Sequence, residues 1–350
     1  MGRLRGSIAA LIAGALLVLP IAPAQADEEA DAVGTEAARE PASVSVPLRL
    51  LNGARGGQVA LATIRVGRSA PIPVLVDTGF SGLVLFPNAW TTTPRGVALG
   101  RTVTKATIAS GIKVPALQGQ ATVTINGIQS VVPVPFAFTT STNPILEQWK
   151  RTGARGLIGI GLKGSETMVN PLTTMPGELG LRWSVHLNRT VGSGGARIGS
   201  IVMGQPSPAD PTMSFQLASM GTDVNGANLW NDQSVNACWK VDVRPERCVP
   251  TVFNSLETTM RLRGAAFRGA PVTAQGYLRP GTRVSLAAPT SAFTGWTLAA
   301  GAGGSRNLVQ VTKWPSSRVS TGNATFFDFT VSFNTVTGRI YLSDPIRKAG

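Results

Sequence analysis

The sequence predicts an all-β fold, on three observations. Charged residues make up only 14% of the 350 residues, against about 25% in a typical globular protein. Glycine and proline are abundant, with 40 and 24 copies, and they interrupt every long stretch of helical periodicity. Short apolar runs instead alternate with turn residues along most of the chain, which is typical of strands joined by tight turns.

The N-terminal residues predict export. Residues 1–26 combine a basic start, an apolar run and an Ala-Gln-Ala tripeptide ending at Ala26, the pattern of a cleaved secretory signal peptide. Residues 27–45 contain six acids and one arginine, which predicts an acidic, disordered spacer. No other segment approaches the roughly 18 uninterrupted apolar residues of a membrane span. We therefore expect no transmembrane segment and a secreted, periplasmic or cell-envelope location.

The net charge is unevenly distributed. The whole chain carries +14, and removal of Arg3 and Arg5 with the signal peptide leaves +12. Because residues 27–45 sum to −5, the remainder carries +17. Such a basic body favours anionic partners such as envelope polymers, lipid headgroups or acidic proteins. No stretch interleaves aromatic and basic residues, so no nucleic-acid partner is expected.

Residues 46–205 are predicted to form a first lobe. Hairpin turns are indicated at Asn52-Gly53 and at Asn126-Gly127. The predicted elements of this lobe are strands in 46–65, in the strand–loop–strand segment 74–86, in 106–125, in the glycine-punctuated run 154–161, in 183–187 and in 196–204, with one short helix within 170–180.

Residues 206–350 are predicted to form a second lobe that repeats the plan of the first. Three prolines in 205–212 mark the boundary between the lobes. Cys238 and Cys248 are the two cysteines, and in an oxidising compartment we expect them to form a short-loop disulfide. The predicted elements are strands in 238–243, in the strand–loop–strand segment 249–262, in 272–286 and in 320–343.

Asp77 is the first candidate functional residue. It lies at the loop tip of Val74–Phe86, between two apolar strands, and no other acidic residue occurs between Glu40 and Glu147. A carboxylate in such surroundings is poorly explained as a solvated surface charge. Taken alone, however, Asp-Thr-Gly also fits an ordinary β-turn, since Asp opens turns and Gly allows a positive φ.

The order of five motifs resembles that of the pepsin-like aspartic proteases over nearly the whole mature chain, as in a divergent bacterial-type exported member. The resemblance implies a bilobal fold of two β-barrel-like lobes, with a cleft between them and one catalytic Asp from each lobe. The two acids would share one proton, because adjacent like charges resist double ionisation. The five motifs are V-D-T-G-F-S-G-L, the glycine strand 154–161, N-P-L-T-T-M-P-G-E-L-G-L-R-W-S-V-H-L with G-A-R-I-G-S-I-V-M-G, A-C-W-K-V-D-V-R-P-E-R-C-V-P-T-V-F-N-S-L-E-T-T-M-R-L, and S-T-G-N-A-T-F-F-D-F-T-V-S-F-N-T-V-T-G-R-I-Y-L-S-D.

The second active-site loop departs from the family pattern. The resemblance places Asp77, Thr78 and Gly79 on the first catalytic loop. The position of the second catalytic Asp holds Asn254, followed by Ser255 in place of the usual threonine. An amide cannot exchange a proton near neutral pH, and loss of one acid–base partner costs on the order of 10²–10⁴ in rate.

Further residues distinguish this chain from the family. Leu256 takes the place of a glycine, where a bulky side chain would be strained if φ were positive. No tyrosine occurs near Ala109, the position expected for the flap tyrosine, and the second apolar-apolar-Gly element begins at Ser320 with hydroxyl residues. The resemblance also implies substrate contacts, at Ser81, Ser110, Gly111 and Glu257.

Metal and cofactor sites are not expected. His186 is the only histidine, it lies on a predicted strand, and no cysteine cluster accompanies it. No G-x-S-x-G elbow indicates a Ser-His-Asp hydrolase, and the glycine-rich segments lack the lysine of a phosphate-binding loop.

Three functional hypotheses remain. The first is an exported pepsin-fold protein with little or no peptidase activity that binds a peptide or protein segment in the cleft. The second is an active endopeptidase that uses Asp77 with another acid, for which Glu257 is a candidate. The third is a basic envelope-binding protein with a vestigial cleft. A monomer is expected in each case.

Overall fold

The computed structural model describes residues 42–52, 57–108, 111–141, 143–164, 168–191, 197–289, 295–301 and 307–344. The predicted signal peptide and most of the predicted acidic spacer lie outside these residues. The described residues after position 41 form one compact unit, and strands dominate it. The predicted all-β fold class is therefore confirmed.

Thirteen strands lie between residues 44 and 216 within the described part of the chain. They are β1 (Val44–Asn52), β2 (Gln58–Val66), β3 (Ile72–Asp77), β4 (Ser81–Leu85), β5 (Val97–Ile108), β6 (Ile112–Ala121), β7 (Val123–Ile125), β8 (Ile128–Gln129), β9 (Val134–Thr139), β10 (Gly156–Ile160), β11 (Arg182–Val191), β12 (Arg197–Met203) and β13 (Met213–Gln216).

Eleven more strands lie between residues 219 and 343 within the described part of the chain. They are β14 (Ser219–Thr222), β15 (Asn228–Trp230), β16 (Val235–Val241), β17 (Arg247–Val252), β18 (Met260–Arg263), β19 (Arg283–Ala287), β20 (Trp296–Ala299), β21 (Val309–Thr312), β22 (Arg318–Ser320), β23 (Thr330–Asn334) and β24 (Arg339–Ser343).

Helices are short in the described part of the chain. Helix α1 (Pro144–Lys150) begins after Asn143, whose side chain caps the amide of Ile145, and α2 (Ala324–Asp328) precedes β23. Instead of the one short helix predicted within 170–180, there are two 3₁₀ helices, because proline at 176 interrupts the segment. The 3₁₀ helices are Pro171–Thr174, Gly177–Gly180, Asp232–Ser234 and Ala265–Phe267. No helix in the described ranges has both the length and the apolar character needed to cross a membrane.

Most strands belong to two sheets. The larger has the order β13-β24-β23-β11-β12-β1-β2-β3-β10-β4-β9-β6-β5, with β7 and β8 attached through β2. The smaller has the order β20-β19-β16-β17-β22-β18-β21. Because β23 pairs with β11, the larger sheet contains strands from both sides of the predicted 205/206 boundary. The division into two lobes stays a prediction.

The two sheets contain the same five-strand arrangement. In the larger sheet, β2-β3-β10-β4-β9 are joined by antiparallel, parallel, antiparallel and parallel pairings in that order. In the smaller sheet, β16-β17-β22-β18-β21 are joined by the same four pairings in the same order. Each arrangement places a later strand between the two arms of a strand–loop–strand segment. The expectation that the second half repeats the plan of the first is met at this level.

Several local predictions are confirmed. Strands β1 and β2 form the expected hairpin around residues 53–56, which lie outside the described residues. Asn126 and Gly127 both have positive φ, at 46° and 85°, as the tight turn between β7 and β8 requires. In 272–286, by contrast, regular strand is confined to residues from Arg283 onward.

The predicted disulfide is also present. Cys238 on β16 and Cys248 on β17 are bonded, and they face each other directly in the antiparallel register with Cα atoms 3.8 Å apart. This bond joins β16 to β17 of the smaller sheet, and β17 leads into the second active-site loop predicted from sequence. A disulfide here is in keeping with an oxidising compartment.

Candidate functional site

The first loop, which we define as residues 76–80, connects β3 to β4. Strand β4 is buried throughout, β3 is buried except at the half-buried Pro73, and β10 lies between them. Gly159 of β10 is required by close packing, because a methyl group there would lie 2.3 Å from the ring of Phe80. The glycine strand β10 therefore packs directly against the first loop.

The second loop, which we define as residues 253–257, follows β17 and has the equivalent position in the smaller sheet. Strand β22 lies between β17 and β18, as β10 lies between β3 and β4. Ser320 ends β22, and Thr321 behind it is fully buried. Hydroxyl residues thus replace the expected aliphatic residues without loss of the crossing strand.

Reciprocal hydrogen bonds join the two loops. Thr78 donates its hydroxyl hydrogen to the carbonyl of Phe253 at 2.8 Å, and its hydroxyl accepts from the amide of Ser255 at 3.0 Å. Ser255 does the same in return, donating to the carbonyl of Val76 at 3.0 Å and accepting from the amide of Thr78 at 3.1 Å. The four bonds are related by a local two-fold axis that exchanges the loops.

The same axis relates Asp77 to Asn254. Oδ1 of Asp77 accepts a hydrogen bond from the amide of Gly79 at 2.8 Å. Oδ1 of Asn254 accepts from the amide of Leu256 at 2.9 Å, and also from that of Glu257 at 3.0 Å. The alignment made from sequence therefore places Asn254 at the position equivalent to Asp77.

Asn254 packs directly against the first loop. A methyl group added at Gly79 would lie 2.7 Å from Nδ2 of Asn254 and 2.9 Å from its Cγ. Gly79 does not have a positive φ, so close packing and not backbone conformation is what requires glycine here. Only this residue type allows the amide of Asn254 to reach the first loop.

Leu256 occupies the position that the two-fold axis makes equivalent to Gly79. It has no positive φ, so the strain considered from sequence is absent. Its side chain is buried in an apolar cluster with Leu75, Phe86 and Met168. Because Gly79 lies against Asn254, the same symmetry directs the Leu256 side chain towards Asp77.

Asp77 is fully buried, and this controls its titration. Burial raises the pKa of Asp77 to about 7, the hydrogen bond from the amide of Gly79 opposes the shift, and the charges of Glu257 and Asp232 add to it. Its Oδ2 atom has no hydrogen-bond partner among the described residues. A carboxyl group in this environment is held largely protonated at mildly acidic pH.

A cleft of about 670 Å³ opens beside the loops. Gly79 and Asn254 line it, whereas Asp77 does not. The wall on the side of the larger sheet includes the ends of β5 and β6, and the opposite wall includes β18 and β22. The complete set of lining residues is Gly79, Phe80, Ser81, Lys105, Ala106, Thr107, Ile108, Gly111, Gln118, Lys163, Gly164, Met168, Gln233, Val252, Asn254, Glu257, Arg263, Arg318 and Ser320.

The residues predicted to contact substrate have different surroundings. Ser81 and Gly111 line the cleft, and the hydroxyl of Ser81 donates to the carbonyl of Gly161 at 2.7 Å. Ser110, like Ala109, lies outside the described residues. Glu257 lines the cleft, but one of its carboxylate oxygens accepts from the hydroxyl of Ser320, and the other lies 3.7 Å from Nε of Arg261.

Asp232 and Gln233 are site residues that sequence reasoning missed. Asp232 is buried and accepts a hydrogen bond from the amide of Leu162, while Gln233 donates to the carbonyl of Gly79 at 2.7 Å. Burial raises the pKa of Asp232 to about 6, against the lowering effect of its hydrogen bonds. Asp232 follows an ordinary turn sequence, so only its three-dimensional position connects it with the first loop.

No protein-family model matches this chain, and no curated protein matches it.

Proposed function

We propose that this protein is an exported homologue of the pepsin-like aspartic proteases that holds an extended peptide or protein segment in its cleft and hydrolyses it little or not at all. The observation that carries the proposal is the two-fold pairing of the loops at the cleft, with Asp77 on one and Asn254 on the other. The scaffold of a catalytic dyad is kept, and one of its acids is replaced by an amide.

Weak hydrolysis follows from the chemistry of the pair. A shared-proton mechanism needs one group that accepts a proton from water and one that donates a hydrogen bond to the scissile carbonyl. Asn254 can donate a hydrogen bond, but it cannot take up or release the proton. The remaining acid, Asp77, has no ionisable partner across the two-fold axis.

The burial of Asp77 is a second obstacle. Asp77 does not line the cleft, and the symmetry of the loops directs Leu256 towards it. A carboxyl group acts on a substrate only within hydrogen-bond reach of the reacting atoms or of one intervening water. In the proposed function, the peptide therefore binds in the cleft. The loops that carry Asp77 and Asn254 shape this cleft but do not catalyse a reaction.

A second candidate function, an active endopeptidase, is favoured by one observation. Glu257 lines the cleft, and its charge contributes to the raised pKa of Asp77. It is the acid from the second loop that could act together with Asp77. The carboxylate of Glu257 accepts a hydrogen bond from Ser320 and lies close to Arg261. Because both of its oxygens already have these partners, we place the endopeptidase function second.

The proposal is tested with a pool of octapeptides, assayed by mass spectrometry between pH 3 and pH 7 with and without the aspartic-protease inhibitor pepstatin. We expect peptides to be retained on the protein without new cleavage products. Pepstatin-sensitive cleavage that is abolished in Asp77→Ala would overturn the proposal and support the endopeptidase. Cleavage lost in Glu257→Gln as well would identify the second acid.

A cleft-filling variant and a matched control locate the binding. Thr107 is exposed on β5 and lines the cleft, whereas Thr102 is exposed on the same strand and does not. We expect Thr107→Trp to reduce peptide retention and Thr102→Trp to leave it unchanged. Equal retention in both variants would show that the peptides bind elsewhere.

A further inference from the structure

Two arginines face each other on the wall of the cleft. Arg263 on β18 and Arg318 on β22 are directly opposite partners in the antiparallel register. Both line the cleft. Like charges at directly opposite positions destabilise an antiparallel pair, so this arrangement costs stability in the free protein and gains from an anion placed between the two side chains.

The neighbouring groups do not neutralise this pair. Glu257 is the acidic residue of the same wall, and it contacts Arg261, while Arg263 and Arg318 form no ion pair with any carboxylate of the described residues. Burial lowers the pKa of Arg263, and the charges of Arg261 and Arg318 lower it further, against the effect of Glu257. Arg263 is thus partly desolvated, and Glu257 attracts it without forming an ion pair with it.

Contacts with neighbouring residues hold the two guanidinium groups in position. The Arg263 guanidinium lies 5.3 Å from the ring centre of Trp314, and Nη2 of Arg318 donates to the carbonyl of Gln233 at 3.4 Å. Stacking on an aromatic face leaves the planar edge of a guanidinium free for hydrogen bonds. Gln233 also bonds to Gly79, so the Arg318 contact connects the pair to the first loop.

We propose that Arg263 and Arg318 form an anion-recognition pair that binds an acidic side chain of the peptide segment held in the cleft. This inference rests on the proposed function, and it names the ligand class as acidic peptides. A carboxylate matches the fork of two arginines through charge-assisted, bidentate hydrogen bonds. Lys105 and Lys163, which also line the cleft, extend the positive potential along the bound segment.

The test uses a set of octapeptides with an extended apolar background and a neutral fluorophore. One Glu is moved through the eight positions, and each peptide is paired with its Gln equivalent. Fluorescence polarisation is measured for the full-length protein and for Arg263→Gln, Arg318→Gln, Arg263→Lys and Arg247→Gln. Arg247 is a matched control, because it is exposed on β17 and does not line the cleft.

We expect at least one Glu position to bind about 10–100-fold more tightly than its Gln partner, the range for a charge-assisted hydrogen bond. Arg263→Gln and Arg318→Gln should each abolish that preference, and Arg263→Lys should keep only part of it, because lysine lacks the planar fork. Arg247→Gln should keep it fully. Melting temperatures of the variants verify that each one is folded.

The possible failures are distinct. If no peptide of either kind binds, the proposed function fails. If Glu and Gln peptides bind equally and Thr107→Trp still prevents binding, the proposed function stands and the anion-recognition pair is refuted. If the arginine variants lose retention on a sulfated polysaccharide but keep the Glu preference, the pair serves an anionic polymer surface, and our inference is also overturned.

Discussion

The two loops differ in their chemistry far more than in their backbone geometry. Each loop follows a strand, a later strand lies between the two arms of each strand–loop–strand segment, and each loop makes the same two types of hydrogen bond to the other. Their leading side chains nevertheless differ in kind and exposure. Asp77 is an acid with no exposed surface, whereas Asn254 is an amide that lines the cleft although only 6% of it is exposed.

This comparison shows that the hydrogen bonds that join the two loops do not depend on the residues that would carry out a reaction. Thr78 and Ser255 keep the loops together whether or not the residues before them are acids. Gly79 leaves space for Asn254, whereas the equivalent position in the second loop holds Leu256, which is buried in an apolar cluster. We therefore focus on two of the differences between the loops, Asp77 against Asn254 and Gly79 against Leu256.

The largest effect is expected when both asymmetries are removed. Asn254→Asp alone supplies the second acid but leaves Leu256 in place, so we expect little peptidase activity. Asn254→Asp with Leu256→Gly also exposes Asp77, and we expect at least ~100-fold more cleavage than in the wild type. The measurement is hydrolysis of a quenched fluorescent octapeptide at acidic pH, with pepstatin as a control.

The stability of the double variant must be measured together with its activity. Loss of a buried leucine side chain costs roughly 2–5 kcal/mol, so circular dichroism and the melting temperature verify folding. Asp77→Ala added to the double variant should abolish the new activity. Equal activity with and without Leu256→Gly would show that Leu256 does not obstruct Asp77, and a folded but inactive double variant would refute the assignment of the loops as a degenerate dyad.

The second effect concerns the pH dependence of stability. The pKa of Asp77 is about 7 in the folded protein, against 3.8 for an ordinary aspartate. Between these values the unfolded chain has lost a proton that the folded chain keeps, so stability falls as the pH rises through this range. The full difference corresponds to about 4 kcal/mol at most.

Asp77→Asn should remove this contribution. We expect the variant to match the wild type in stability near pH 4 and to exceed it by up to about 4 kcal/mol near pH 8. Urea unfolding at a series of pH values measures the difference. Asp210→Asn, at an exposed position, is the matched control and should show no such divergence. Parallel curves for wild type and Asp77→Asn would contradict the burial of an uncompensated acid.

Much of this comparison could be predicted from sequence. The D-T-G and N-S-L segments align because each follows a short apolar strand, and the glycine strand 154–161 is visible as an apolar run. The repeat of strand–loop–strand segments was predictable for the same reason. These features depend on residues close together in the chain, where periodicity and turn residues carry the information.

Other features of the site depend on register and on distant contacts. Arg263 and Arg318 become partners only because β18 pairs with β22 in one particular register. Asp232 becomes buried only because the amide of Leu162, 70 residues earlier, binds its carboxylate. The side-chain clash that excludes any residue but glycine at 79 also comes from the other half of the chain. Sequence patterns in one segment contain none of this information.

The third effect tests the symmetry of the scaffold itself. Thr78→Val and Ser255→Ala each remove one hydroxyl that accepts from a buried amide and donates to a buried carbonyl. An unsatisfied buried polar group costs about 1–3 kcal/mol, so we expect equal destabilisation in this range from the two substitutions. Thr63→Val, at an exposed position on β2, controls for the change of side chain. Markedly unequal losses in the free energy of unfolding would show that the two hydroxyl groups do not stabilise the paired loops equally.

The smallest effect comes from Glu257, and it distinguishes an electrostatic neighbour from a catalytic partner. The charge of Glu257 raises the pKa of Asp77, so Glu257→Gln should lower that pKa and reduce the loss of stability between about pH 4 and pH 7. We expect a change below about 1 kcal/mol. This effect of Glu257→Gln should vanish in the Asp77→Asn background, because the residue at position 77 then carries no charge for Glu257 to act on. Urea unfolding of the four proteins in this cycle measures the coupling, with exposed Glu246→Gln as the control. A pH-dependent effect of Glu257→Gln that persists in Asp77→Asn would assign the titration to another group, and the electrostatic link between the two loops would be lost.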